Sequence, residues 1–97
     1  MLHLIFQSPI QLAVLQRIEP GDVVVFLENS VFRILKTDFS TEMLMPLLVT
    51  NRLCVLTEDL IIRGIEPDRL LTGIDVIEYS ELVDLSVKHP VIQSWLQ

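Results

Sequence analysis

The chain has 97 residues, 51% of them hydrophobic and 21% charged, with a formal net charge of −6. That length bounds it to one domain, residues 1–97. The seven Lys and Arg residues are scattered, which excludes the basic footprint of direct nucleic-acid binding; the single cysteine excludes an internal disulfide, and no apolar run approaches a membrane span.

Leu2 to Phe6 is a short apolar run that reads as a first strand. Ser8 is placed to cap a helix and Pro9 suits its first position, where no amide hydrogen bond is needed. Ile10, Val14 and Ile18 share one face of that helix, which stops at Pro20-Gly21. Val23 to Leu27 is an unbroken apolar run without polar alternation, so it predicts a central strand buried on both faces.

Asn29 or Ser30 is placed to cap a helix through Val31 to Lys36, and Thr37 to Ser40 breaks it. Thr41 restarts a helical segment with Met43, Leu44, Leu47 and Leu48 inward and Pro46 inside. Leu53 to Leu56 reads as the third strand, with Thr57 capping the next helix. Glu58 and Asp59 sit in its first turn, where the helix dipole favours anions, and Gly64 ends it in a left-handed conformation. Ile74 to Tyr79 is the fourth strand, and Ser80 caps a helix to Lys88. Val91 to Leu96 reads as a helical turn after Pro90.

Strands alternating with helices imply an α/β domain of three layers around a mostly parallel sheet with right-handed crossovers. A reduced flavodoxin-like sheet has four strands in the order 2-1-3-4. The apolar share and a mean hydropathy of +0.52 exceed what so small a core absorbs, so an exposed apolar patch is expected. Phe32, Leu35, Met43, Met45 and Trp95 are the candidate partner contacts.

Cys54 is the one residue with obvious covalent chemistry. Reactive thiolates lie partly exposed near positive charge or a helix N-terminus. Cys54 lies inside a strand, with Glu58 and Asp59 following it, and both features oppose a thiolate. His3 reads as a hydrogen-bonded core or interface histidine and His89 as a helix-terminus group; they form no metal motif. Glu28, Glu58, Asp59 and Glu78 fall at the C-terminal ends of the expected strands, where α/β folds bind ligands. They form either an acidic rim for a cation or basic partner, or a set of capping and solvated charges. Gly21, Gly64 and Gly73 are isolated, so there is no phosphate loop and no cofactor is expected.

Met1-Leu2-His3 with Ser8-Pro9, Glu28 to Leu35, Leu56 to Ile65, and Tyr79 to Trp95 follow one another in an order and spacing that resembles the TusB/DsrH family. The resemblance spans essentially the whole chain. It implies a DsrE-like α/β fold and a heterohexamer with two homologous DsrE-like subunits, TusC- and TusD-like. In the TusBCD branch such a complex passes persulfide sulfur toward 2-thiolation of the tRNA wobble uridine; in the DsrEFH branch it serves sulfur oxidation. The catalytic homologous subunit carries its cysteine at the turn corresponding to Leu56-Thr57, just beyond Cys54. DsrH-type members carry one in the first helix, where this chain has Leu12-Ala13-Val14-Leu15. The family's glycine after the second strand is Ser30 here. The two missing cysteines favour a noncatalytic structural subunit, and the single cysteine of the chain with the lack of a membrane-length apolar run leads to the expectation that it is cytoplasmic. The alternatives are a sulfurtransferase carrying persulfide on Cys54 and a self-associating domain that binds a small ligand at the acidic edge.

Overall fold

The computed structural model describes residues 1–96, so Gln97 of the expected domain lies outside the described residues. Five parallel strands form one sheet: β1 (Leu2–Ile5), β2 (Val23–Phe26), β3 (Arg52–Leu56), β4 (Asp75–Ile77) and β5 (Ile92–Trp95). Their order is β4-β3-β2-β1-β5. The expected α/β class and parallel sheet are present, and β2 is central with all four residues buried. The expected order 2-1-3-4 is not. β3 pairs with β2 rather than β1, and the free side of β1 is taken by β5. The tail expected as a helical turn is therefore a strand, with Leu2 opposite Ile92 and Ile5 opposite Trp95.

The connections are α1 (Leu12–Leu15), a 3-10 segment over Glu28–Ile34, α2 (Thr41–Thr50), α3 (Thr57–Ile62), a 3-10 turn over Pro67–Arg69, and α4 (Tyr79–Lys88). They divide unequally between the two faces. One core cluster joins Ile5, Val24, Phe26 and Val55 to Val14 of α1, Ile34, Leu44 of α2 and Leu60 of α3. The other joins Leu2, Val25, Cys54 and Ile77 to Leu85 of α4 alone among the helices. The split follows strand alternation, because neighbouring residues point to opposite faces.

The first helix is shorter than expected. Ile10, Val14 and Ile18 are buried as their spacing requires, but Ser8 and Pro9 stand outside α1 and Gln11 precedes it in extended conformation. The buried Gln7 organises this turn: its Oε1 accepts the Gln11 N–H at 3.3 Å and its amide donates to the Leu96 carbonyl at 3.0 Å. The helix expected over Val31 to Lys36 is a 3-10 segment that starts earlier. Ser30 tightens it, because the buried Ser30 hydroxyl lies within hydrogen-bond distance of two carbonyls, Ile5 at 2.7 Å and Leu27 at 2.8 Å. After Leu56, Thr57 is the first residue of α3 and makes no side-chain cap; its hydroxyl donates to the Ile77 carbonyl at 3.3 Å. Gly64 has φ +65 and ends the α3 region as expected.

Candidate functional site

β3 carries Cys54 between Val25 of β2 and Asp75 of β4, on the sheet face beneath α4. The side chain is fully buried. Burial pushes its thiol up to about 11; Arg52 opposes this, while Asp75 and Glu81 add to it. Roughly one molecule in ten thousand then holds a thiolate at pH 7. The carboxylates acting on Cys54 are thus Asp75 and Glu81, at the start of β4 and in α4, rather than Glu58 and Asp59. Arg52 engages both, through Nε to Asp75 at 2.7 Å and a terminal nitrogen to Glu81 at 3.2 Å.

At the C-terminal edge the four expected carboxylates do not converge. Asp59 ties α3 to the 3-10 segment: one oxygen accepts the Glu28 N–H at 3.2 Å and the other pairs with Arg63 at 3.1 Å. Arg63 also donates through Nε to the Asn29 side chain at 3.3 Å. Glu28, Glu58 and Glu78 are exposed. Glu28 holds φ +55, a left-handed conformation that non-glycine residues rarely adopt. Among the described residues no group of three His, Cys, Asp or Glu side chains is placed to hold a metal ion. A cavity of about 340 Å³ opens at this edge between Phe6, Ser8, Glu28, Asn29 and Leu96. Its one charged lining residue is Glu28.

The opposite edge holds a polar network that sequence reasoning missed in part. His3 is buried, as expected of a hydrogen-bonded core histidine, with Nε2 at 2.8 Å from Asp22 and Nδ1 accepting the Trp95 indole N–H at 3.1 Å. Asp22 also accepts the Glu19 N–H and the Met1 ammonium, each at 3.0 Å. Burial works against its charge, but the hydrogen bonds from Glu19, His3 and Met1 outweigh it and hold the carboxyl at about 2. The available signal was an acidic residue directly after a Pro-Gly turn and before a buried strand. His89 is the C-cap of α4, its N–H closing onto Leu85 at 3.0 Å.

The partner-contact candidates separate. Met43 and Met45 are exposed on α2, together with Val49. Leu35 is not a surface contact: it bridges Leu70 in an antiparallel pair and lies in the core. Phe32 and Trp95 are half-buried against the same cluster. Among the described residues no helix is long and apolar enough to cross a membrane.

The sequence profile described as "DsrH like protein" matches residues 6–92. The chain belongs to this DsrH-like family. Protein TusB of Buchnera aphidicola subsp. Baizongia pistaciae is 33% identical to it over 98% of this chain and 100% of that protein. Membership in the DsrH-like family makes the chain a sulfur-relay subunit. In fold, it resembles a solved protein of unknown function from Methanobacterium thermoautotrophicum, with a TM-score of 0.81 and 17% identity over 97% of this chain and 96% of that one.

Proposed function

We propose that this chain is a noncatalytic structural subunit of a TusBCD-type complex that passes persulfide sulfur toward 2-thiolation of the tRNA wobble uridine. The observation that carries the noncatalytic role is the burial of Cys54, the sole cysteine, with its thiol pushed up to about 11. A persulfide carrier needs a reachable thiolate, and Cys54 offers neither reach nor charge. The partners are two homologous DsrE-like subunits in a cytoplasmic heterohexamer. The exposed Met43, Met45 and Val49 of α2 supply apolar area for one of those contacts. The remaining candidates, Phe32 and Trp95, contribute only their exposed rims.

The test is reconstitution with the two homologous subunits, followed by a persulfide donor and mass spectrometry. Persulfide is expected on a partner subunit and not on Cys54. Sulfur transfer by a Cys54→Ser complex, compared at matched amounts of folded assembly, is expected to stay near wild type. A persulfide on Cys54 together with loss of transfer in the assembled variant would establish the carrier role instead. Failure of the three chains to co-purify would remove the complex itself.

A further inference from the structure

We propose that the free edge of β5 is a self-association surface, on which two copies of this chain pair their β5 strands antiparallel and join two five-stranded sheets into one. The proposal stands independently of the sulfur-relay reading.

The two edges of the sheet are built differently. β4 is three residues long and begins with Asp75, which Arg52 holds at 2.7 Å, and Glu81 shares that guanidinium. A short, charged edge resists pairing with another chain. The stretch from Val91 to Leu96, which contains β5, carries no charge and no proline, although 21% of the chain is charged. Val91, Ile92 and Leu96 are exposed there. Charge and proline, two of the devices that blunt natural edges, are missing from this one.

The backbone direction is settled by two bonds. The Val91 carbonyl accepts the Leu2 N–H at 3.1 Å, and the Trp95 carbonyl accepts the Phe6 N–H at 3.0 Å. Backbone groups alternate in direction along a strand. Val91, Gln93 and Trp95 therefore face β1, and Ile92 and Ser94 aim their N–H and C=O groups away from the sheet. Among the described residues no strand pairs with that side of β5. The Gln93 amide donates to the Ser94 carbonyl at 3.2 Å, and the Gln7 amide closes the row at the Leu96 carbonyl. Among the described residues, both groups of Ile92 and the N–H of Ser94 remain for a partner. Two identical strands related by a two-fold axis exchange such groups reciprocally.

Charge selects the occupant. A chain of net charge −6 is repelled by its own copy over most approaches. At β5 two copies meet without placing like charges opposite each other. A basic partner finds no carboxylate between Val91 and Leu96 to pair with.

Sedimentation velocity of the full chain over a concentration series tests this. Wild type is expected to reach twice the 11.1 kDa chain mass. Ser94→Pro removes one outward N–H and no bond to β1, a position where an edge strand accepts proline. It is expected to weaken the dimer at least about tenfold. Ile92→Lys sets a charge against its copy and is expected to do the same, whereas Val76→Lys on the β4 edge stays dimeric. Fluorescence of Trp95, the sole tryptophan, reports whether each variant is folded; if Ser94→Pro does not fold, Ile92→Lys decides. A wild-type chain that stays monomeric throughout overturns the proposal. So does a folded β5 variant that dimerises as wild type, or a dimer lost only in Val76→Lys.

Discussion

Trp95 donates its indole N–H to Nδ1 of His3 across 3.1 Å, joining the last strand to the first. An indole nitrogen can only donate, so Nδ1 of His3 is the bare ring nitrogen and Nε2 carries the proton toward Asp22. The two rings lie nearly parallel, 12° apart with centroids at 6.3 Å. One side chain thus sets the tautomer of a buried histidine and pins an edge strand.

Trp95→Phe keeps an apolar ring on the core cluster and removes the donor. His3 Nδ1 is then buried without a partner, which costs roughly 1–3 kcal/mol. Urea unfolding followed by circular dichroism should show a lower midpoint with an unchanged slope. An unchanged midpoint would mean that the bond contributes nothing to stability.

Asp22 makes stability sensitive to acid. Its folded carboxyl sits at about 2 against an ordinary 3.8, so the folded state binds its proton less readily than the unfolded state. The contribution is fully present above 3.8 and is lost as pH falls through 3.8 toward 2; it amounts to about 2 kcal/mol. Unfolding measured from pH 5 down to pH 2 should show this decline. In Asp22→Asn the acid limb should flatten, and the variant should be less stable than wild type at pH 5. A parallel decline in both proteins would assign the acid sensitivity elsewhere.

Cys54 should resist thiol reagents in the folded chain at neutral pH, because burial denies access and holds the thiol at about 11. One thiol should appear on addition of denaturant. Cys54→Ser places a hydroxyl in an apolar site and should cost roughly 1–3 kcal/mol, more than Cys54→Ala if no partner is reached. Rapid labelling of the native chain would contradict the burial.

Gly64→Ala isolates a backbone effect. A Cβ there meets nothing within 4 Å, so the cost comes from the φ of +65 alone. About 1–2 kcal/mol is expected, with Asn at that position costing less. Equal stability of the Ala and Gly chains in thermal unfolding would show that the α3 terminus relaxes freely.

Sequence alone determined the features whose causes are local. The unbroken run Val23 to Leu27 demands burial on both faces, and β2 occupies the middle of the sheet. Gly64 follows a helix with Glu58 and Asp59 in its first turn and Arg63 at its end, and takes the left-handed conformation that other residues avoid. The family resemblance likewise rested on short segments in a fixed order, and the profile over residues 6–92 bears it out. Strand order and the last strand were decided only by tertiary structure. Gln93 and Ser94 interrupt the apolar pattern after Pro90, and nothing near them specifies a strand. They become one because β1, some 90 residues earlier, leaves a row of backbone groups that this segment satisfies. The same distance hid the His3–Trp95 pair, and the bridge of Leu35 to Leu70 drew an expected surface residue into the core. Hydrogen-bond partners remote in the chain supply these constraints, so no window of neighbouring residues contains them.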